Sequence, residues 1–428
     1  MAKRFLLAAL LFSCGRLGFE AQRDDATIGP VPADAPIDAF FAAPVGVVST
    51  GSIEGASGRP TQSHLVRAAV AKTWWLFYID GTTDVLRSIY SSDLVNWTPS
   101  ATVQLPYKLV AGTNFSVTTK VIGGVDVVHV ALAYTTTIQR HDHVRGVLSA
   151  TTISWDAQVM VGCATTISSG AEDSPFTMIA DDNVVYDFTG AFDDNNACVN
   201  SNSTGNFNVT ASSTPDTGGA WTPIWDTHIQ VAFCVGQVTA HWGAALPGNQ
   251  VLTVQTNGLD GTSETNLNDL WWATGAGGTW SAQGSGFQAP LATRIGANDW
   301  GAVQVTPSDV QVVARIDAVT FRLFRFNGTA WQELAAPPAQ GCKAHSGPFL
   351  ATDGTRTYLF VIDSDAASTI RIATFDGQTW SAWTAVETSA QTRSYLSGVS
   401  RMTDGRATHL WTEARGATFE LVTETVQL

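Results

Sequence analysis

The sequence has few charged residues and no concentrated basic segment. Only 14% of its 428 residues are charged, which is low for a cytosolic protein. The net charge is −14, and no cluster of Lys and Arg follows the first few residues. Because phosphate binding needs a basic face, these features argue against nucleic acid or an anionic membrane surface as the partner.

Cysteine is also scarce. The sequence contains no C-x-x-C pair and no Cys beside a His at metal-ligand spacing, so we expect no zinc site, no other metal and no cofactor. Four cysteines follow the N-terminal region: Cys163, Cys198, Cys234 and Cys342. In an exported chain they permit two disulfides in three pairings, with free buried thiols as the alternative.

The N-terminal segment is typical of a secretory signal peptide, predicted over residues 1–13. Lys3 and Arg4 precede the apolar run FLLAALLF and then SCG, and the run is too short to span a membrane as a mature helix. The stretch LFSC resembles the bacterial lipobox, which implies lipidation at Cys14. Residues 14–44 are rich in Asp, Ala and Pro and predict a disordered tether. We therefore expect an outer-membrane or cell-surface lipoprotein that meets the membrane only through its anchor, with a secreted or periplasmic soluble protein as the alternative.

Tryptophan and glycine, by contrast, are abundant, with 15 and 38 copies. Such usage favours strands and turns. A Trp follows a turn-like stretch at intervals of about 50 to 65 residues, a spacing that is typical of β-propellers. These tryptophans are Trp97, Trp155, Trp221, Trp280, Trp331 and Trp380. The sequence therefore predicts an all-β propeller over residues 45–428.

The number of blades follows from the repeating unit. Within 345–387, the turns Asp353-Gly354 and Asp376-Gly377 separate candidate strands that make one four-stranded blade. The last unit has three strands, and PVGVVSTG near the N-terminus can supply the fourth, so that strands from both ends of the chain close the ring. Six Trp-bearing turns and one closing blade predict seven blades, with six as the alternative. Each Trp is predicted to pack between neighbouring blades.

Three turns resemble those of known propeller families. FDGQTW and FNGTAW are similar to the Asp-box of sialidase-type propellers, Ser/Thr-x-Asp-x-Gly-x-Thr-Trp, although each is one residue short and the second has Asn327 at the acidic position. SSDLVNW resembles a turn of five-bladed arabinanase-like and fructosidase-like glycosidases. In these families the turns are structural. The resemblance implies a carbohydrate-linked propeller class and transfers no catalytic residue.

Candidate site residues lie where the inner strands are expected to begin, because propellers bind ligands at one mouth of the central channel. This set comprises Arg59, Gln62, His64, Asn114, Glu172, Asp173, His241, Trp242, Asn298, Asp299, Trp300, Lys343, His345, Arg393 and Tyr395. The residues expected to bind a ligand are Arg59, Gln62, Asn114, Trp242, Trp300, His345, Arg393 and Tyr395.

Two chemistries fit this set. A glycoside hydrolase needs two carboxylates, for which Asp173 and Asp299 are the candidates. A polysaccharide lyase needs a base, such as His64 or His241, and a cation that neutralises a uronate, such as Arg59. The arginine triad and the Tyr-Glu pair of a true sialidase are incomplete, so catalysis stays open.

The sequence therefore predicts a propeller that binds or processes a glycan at the channel mouth, with a non-catalytic protein-interaction propeller as the alternative. A propeller that only binds a carbohydrate needs no catalytic residues. We expect a monomer. The segment HDH at 141–143 is predicted to lie in a solvated turn, and DDNN at 193–196 matches a calcium loop in composition only.

Overall fold

The structure, a computed structural model, describes most of the chain beyond residue 45. The described residues are 46–52, 55–81, 85–100, 114–135, 139–164, 174–191, 206–212, 216, 221–228, 237–258, 270–276, 279–280, 284–285, 295, 298–343, 347–365 and 368–428. They contain strands and turns but no helix, and hence no helix that could cross a membrane. The predicted signal peptide, Cys14 and the tether lie outside them.

Each of the first four blades is an antiparallel sheet. Blade 1 contains β2 (Leu65–Ala68), β3 (Thr73–Asp80), β4 (Val85–Ser91) and β5 (Thr98–Pro99). Blade 2 contains β6 (Phe115–Ile122), β7 (Val125–Thr135), β8 (Gln139–Leu148), β9 (Ile153–Trp155) and β10 (Val159–Ala164). Blade 3 contains β11 (Phe176–Ile179), β12 (Val185–Ala191), β13 (Asn206–Ser212) and β14 (Trp221–His228). Blade 4 contains β15 (Gln237–Leu246), β16 (Gln250–Gly258), β17 (Leu270–Ala276), β18 (Thr279–Trp280) and β19 (Gly284–Ser285).

The remaining blades repeat this arrangement. Blade 5 contains β20 (Trp300–Thr306), β21 (Asp309–Arg315), β22 (Phe321–Phe326) and β23 (Trp331–Glu333). Blade 6 contains β24 (Phe349–Thr352), β25 (Thr357–Ile362), β26 (Ile370–Phe375) and β27 (Thr384–Glu387). Blade 7 contains β28 (Arg393–Gly398), β29 (Arg406–Arg415), β30 (Thr418–Gln427) and, as its outer strand, β1 (Gly46–Ser52).

The two ends of the described chain close the ring, as the sequence predicts. β1 runs antiparallel to β30, with Gly46 opposite Thr423 and Val47 opposite Val422. The Thr423 hydroxyl also donates to the Leu94 carbonyl of blade 1, at 3.0 Å. β1 thus supplies the outer strand that blade 7 would otherwise lack and covers the edge of β30. The seven-bladed, all-β propeller is thus confirmed.

The hydrophobic core is divided among the interfaces between blades. One cluster joins Trp75 and Phe77 of blade 1 to Phe115 and Val130 of blade 2. Because a blade is covered on both faces, its central strands can be buried along their whole length instead of alternating between buried and exposed residues. All six residues of β25, for example, are buried.

The turns that punctuate the blades are built by one acidic or amide side chain each. In SSDLVNW, Asp93 Oδ1 accepts hydrogen bonds from the Val95 and Asn96 amides at 2.9 and 2.8 Å. Asn327 accepts from two amides in the same way, at 3.1 and 3.0 Å. An amide oxygen therefore serves this turn as well as a carboxylate, which accounts for the Asn at the acidic position.

The tryptophan after these turns packs between blades, as predicted. Trp97 Nε1 donates to Thr423 of blade 7 at 3.3 Å, and Trp380 Nε1 donates to the Ala335 carbonyl at 2.8 Å. Trp331 is 3% exposed in the cluster between blades 4 and 5. The aromatic ring thus ties the end of one blade to its neighbour.

Cys342 is buried and carries a free thiol. Burial raises the pKa of this thiol to about 12, so it stays protonated. The side chains of Cys163, Cys198 and Cys234 lie outside the described residues. With Cys342 free, at most one of the two predicted disulfides can form.

Candidate functional site

A buried connection between blades 7 and 1 lies across one end of the central channel. We call this end the upper mouth, where the inner strands β2, β6, β11, β15, β20, β24 and β28 begin, and the opposite end the lower mouth. The connection runs from Gly55 to His64, and all of it except Ser63 is buried. It contacts inner strands of blades 2, 3, 5 and 7, as well as blade 1 to which it leads.

Arg59 is the charged residue at the centre of this connection. Its Nε donates to the Ser174 hydroxyl, just before β11, and its Nη1 donates to Asn298 Oδ1 at 3.0 Å, just before β20. The Arg59 amide donates to Gln62 Oε1 at 3.1 Å, and the Gln62 amide returns a bond to the Arg59 carbonyl at 2.9 Å. This turn aims the guanidinium across the mouth, where it links blades 3 and 5.

Gln62 extends the network to blade 2. Its Nε2 donates to the Phe115 carbonyl at 2.9 Å and to the Pro175 carbonyl at 3.2 Å. Arg59 and Gln62 are 4% and 3% exposed. Two residues predicted to bind a ligand therefore hold the mouth together in this structure.

His64 sits beneath the connection and is fully buried. Its Nδ1 lies 3.0 Å from the Ala56 carbonyl, its Nε2 lies 3.0 Å from the Phe115 carbonyl, and its ring stacks on Phe115 with centroids 3.8 Å apart. Gly58 makes room for it: a Cβ there would come within 2.8 Å of the ring, and its φ is +81°. Burial lowers the pKa of His64 to about 4, so the imidazole is neutral near pH 7.

Two other predicted residues lie on blade 7. Arg393 is 2% exposed and is enclosed by Glu413, at 2.9 Å from its Nε, by Glu387 and by the Trp411 ring, whose centroid is 4.8 Å from Cζ. Tyr395 is half-buried, with φ +55° in a β-bulge, and its ring covers Gly55. A non-glycine residue in this left-handed conformation is strained, and such strain clusters at functional sites.

The remaining predicted residues separate into three groups. Asn114 (9% exposed) and the half-buried Asn298 lie at the upper mouth. Trp242 and Trp300 pack in the hydrophobic cluster between blades 4 and 5, and His241 is fully buried on β15. Asp173 and His345 lie outside the described residues, as does Glu172.

Of the two carboxylates predicted for a hydrolase, the structure describes Asp299 and not Asp173. Asp299 is half-buried and forms an ion pair with Arg315, whose amide also donates to the Asp299 carbonyl at 2.7 Å. This contact ties the start of β20 to the end of β21. Lys343, another residue of the predicted set, donates to the Ser368 hydroxyl. The roles assigned to Asp173 and Asp299 stay predictions.

A second polar cluster, absent from the sequence-based set, is buried between blades 2 and 3. His143 Nδ1 lies 2.8 Å from Asp187 Oδ2, and its Nε2 lies 2.8 Å from His129 Nδ1. His129 Nε2 lies 3.1 Å from Asp216 Oδ1, which Arg145 also contacts, at 2.9 Å. Hydrogen bonds from His129 and Arg145 outweigh burial and hold the pKa of Asp216 below its usual range.

The expectation that HDH forms a solvated turn is therefore wrong. Residues 141–143 lie inside β8, where His141, Asp142 and His143 are at most 2% exposed. Asp187 of blade 3 meets the His143 ring, and Gln158 of blade 2 donates to Asp142. The contact with Asp187 joins two blades, so local sequence could not show it. The described residues contain no group of three or more His, Cys, Asp or Glu placed to hold a metal ion.

Comparison with known proteins gives a likeness in fold alone. No family model matches the sequence. No curated protein matches it either. Among solved structures, the polysaccharide lyase Uly1 is 10% identical with a TM-score of 0.50, over 90% of this chain and 96% of that one.

Two other propellers are similar at lower scores. The fucose-binding lectin of Aleuria aurantia, a six-bladed propeller, is 11% identical with a TM-score of 0.45, over 80% of this chain and 97% of that one. A Trypanosoma rangeli sialidase is 12% identical with a TM-score of 0.39, over 72% of this chain and 54% of that one. At such identities the similarity describes architecture.

Proposed function

We propose that this protein binds a carbohydrate at the upper mouth of its propeller. The observation that carries the proposal is the convergence on Arg59 of side chains from separate blades, with Ser174, Asn298 and Gln62 in direct hydrogen bonds. Hydroxyl and carboxamide groups beside an aromatic ring are the groups that recognise sugar hydroxyls and sugar faces. The fold shared with a polysaccharide lyase and the glycosidase-like turn at Asp93 are compatible with this choice.

Within this site, the half-buried residues are those that a ligand meets first. Asn298 and Tyr395 are partly exposed, whereas Arg59 lies behind them and holds the Asn298 carboxamide in one orientation. A cation in this position would favour acidic sugars, because its charge is close to the mouth. Arg59 therefore acts as a positioning residue, and Asn298 and Tyr395 as the contacting residues.

The test is a binding screen on immobilised acidic and neutral polysaccharides. Asn298→Ala and Tyr395→Phe should weaken binding about tenfold each, since each loses a polar contact. Asn96→Ala, an exposed residue on the outer edge of blade 1, is the matched control and should bind like the wild type. Absence of binding to every polysaccharide would contradict the proposal and would favour the protein-interaction alternative.

The same screen separates binding from catalysis. Reducing ends report hydrolysis and the absorbance of unsaturated uronates reports elimination, with Asp173→Asn and His241→Ala assayed beside the wild type. Turnover lost only in the first variant supports a glycoside hydrolase, and turnover lost only in the second supports a lyase. Binding without turnover supports a carbohydrate-binding propeller.

The proposal includes an exported, lipid-anchored protein. Its support is the order of a basic start, a short apolar run and the lipobox-like LFSC ending at Cys14. A tether rich in Asp, Ala and Pro then separates the anchor from the propeller. Mass spectrometry should find an acyl group on the wild type and none on Cys14→Ser, and a wild-type protein without acyl groups would refute the anchor.

A further inference from the structure

A cavity of about 440 Å³ occupies the channel on the other side of the buried connection. Inner strands of blades 1 to 5 and the segment after β28 contribute to its walls. Its volume falls within the range of about 300 to 1,000 Å³ that is typical of small-molecule sites. Ser63, near the end of the connection, also lines the cavity.

The cavity opens at the lower mouth. The connection across the upper mouth is buried, whereas Thr119, Ile179 and Gln304, where the inner strands end, are half-buried and Arg401 is exposed. A ligand would therefore enter from the side opposite to the proposed carbohydrate site.

Two arginines line this cavity without a carboxylate partner. No lining residue among those described is acidic, and neither Arg67 nor Arg401 forms an ion pair within the described part of the chain. Other described arginines do pair with carboxylates, among them Arg145, Arg315, Arg322, Arg371 and Arg393.

The contacts of both arginines leave donors for an anion. Arg67 Cζ lies 5.5 Å from the centroid of the Trp74 ring, and its Nε is buried with no hydrogen-bond acceptor among the described residues. Arg401 donates from Nη1 to the Val305 carbonyl at 2.9 Å, which is the side-chain hydrogen bond it forms within the described part of the chain. A buried donor without an acceptor is unfavourable, so an incoming oxyanion would be stabilised here.

The rest of the wall is largely apolar. Val66, Val117, Phe176, Met178 and Val399 line it, with Gln304 and the threonines of β6 as neutral polar residues. Such a surface favours a hydrocarbon or aromatic body over a hydrated inorganic ion. We propose that the lower mouth binds a small organic anion, whose carboxylate meets Arg67 and Arg401 while its apolar body fills the channel.

The test is isothermal titration calorimetry of the whole chain with 2-naphthoate. We expect one ligand per chain, and a loss of affinity of about tenfold to a hundredfold in Arg67→Gln and in Arg401→Gln. Arg406→Gln makes the same charge change at an exposed arginine outside the cavity and should bind like the wild type. Ala245→Phe keeps both arginines and narrows the cavity, so it should also lose binding.

Three results would overturn the proposal. They are unchanged affinity in both cavity arginine variants, equal affinity for neutral 2-naphthamide, and displacement of 2-naphthoate by equimolar inorganic sulfate. Circular dichroism and the unfolding midpoint of every variant establish that the fold is retained. The polysaccharide screen concerns the upper mouth, so either site can fail without the other.

Discussion

His64 makes the stability of the propeller depend on pH in a direction that can be measured. Two carbonyl acceptors favour its imidazolium, but complete burial disfavours the charge more strongly and lowers the pKa to about 4 from an unfolded value of 6.5. Between these values the unfolded chain binds a proton at His64 and the folded chain does not. The free energy of unfolding must therefore fall as the pH falls through this window.

The size of the effect follows from the two pKa values. A difference of 2.5 pKa units corresponds to ~3 kcal/mol over the whole window, of which ~2 kcal/mol is lost by pH 5. Burial also lowers the pKa of His129 to about 4, so His129 adds a further loss of stability as the pH falls through the same window. Carboxylates with a lowered pKa, such as Asp353, change the free energy of unfolding mainly below pH 5. The change between pH 6.5 and 5 therefore comes mainly from the histidines.

The assay is urea unfolding followed by tryptophan fluorescence at pH 7.5, 6 and 5. The variant His64→Gln should be less stable than the wild type at pH 7.5, because the imidazole is packed against Gly58 and Phe115. Its loss of stability between pH 7.5 and 5 should be ~2 kcal/mol smaller than that of the wild type. Equal losses in the two proteins would refute a neutral, buried His64, and combining the variant with His129→Gln should flatten the dependence further.

Two further substitutions test how the blades are held. Glu413→Ala should lower the free energy of unfolding by about 1–3 kcal/mol, because the buried Trp411 indole loses its acceptor and Arg393 keeps Glu387 as its remaining carboxylate; an unchanged free energy of unfolding in chemical denaturation would show that the contacts of Glu413 are dispensable. Asp93→Ala should cost roughly 1 kcal/mol, because the amides of Val95 and Asn96 lose their acceptor; an unchanged melting temperature would show that the turn holds without it.

Much of the fold was predictable because the turns between the strands of a blade are formed by residues that are adjacent in the chain. Asp353 accepts hydrogen bonds from the amides two and three residues later, both at 2.7 Å, and Asp376 does the same at 2.8 and 2.7 Å. The following Gly354 and Gly377 take φ values of +95° and +100°. These bonds depend on the identity of a few adjacent residues, so the pattern is visible in one sequence. The closing strand was predictable for a related reason: three strands in the last unit leave one edge to pair.

The candidate site was predictable only as a ring of positions. Sequence order indicates that Arg59, Asn298 and Arg393 each stand near the start of an inner strand, which places them at one mouth. It does not indicate which neighbour neutralises which charge. Arg393 is enclosed by carboxylates of its own blade and the blade before it, whereas Arg59 reaches across the mouth to Ser174 on blade 3 and Asn298 on blade 5.

The sequence alone predicted the order of the blades, the turns between them and the closing strand, and it predicted seven blades with six as the alternative. Each of these features depends on contacts between residues close in the chain or on a repeat within it. The tertiary structure alone decided that HDH is buried, with His143 beside Asp187, that Gly55–His64 crosses the channel, and that Arg67 and Arg401 share a cavity whose described lining contains no acid. Those contacts join residues from different blades. They exist only once the ring has closed and fixed which faces meet.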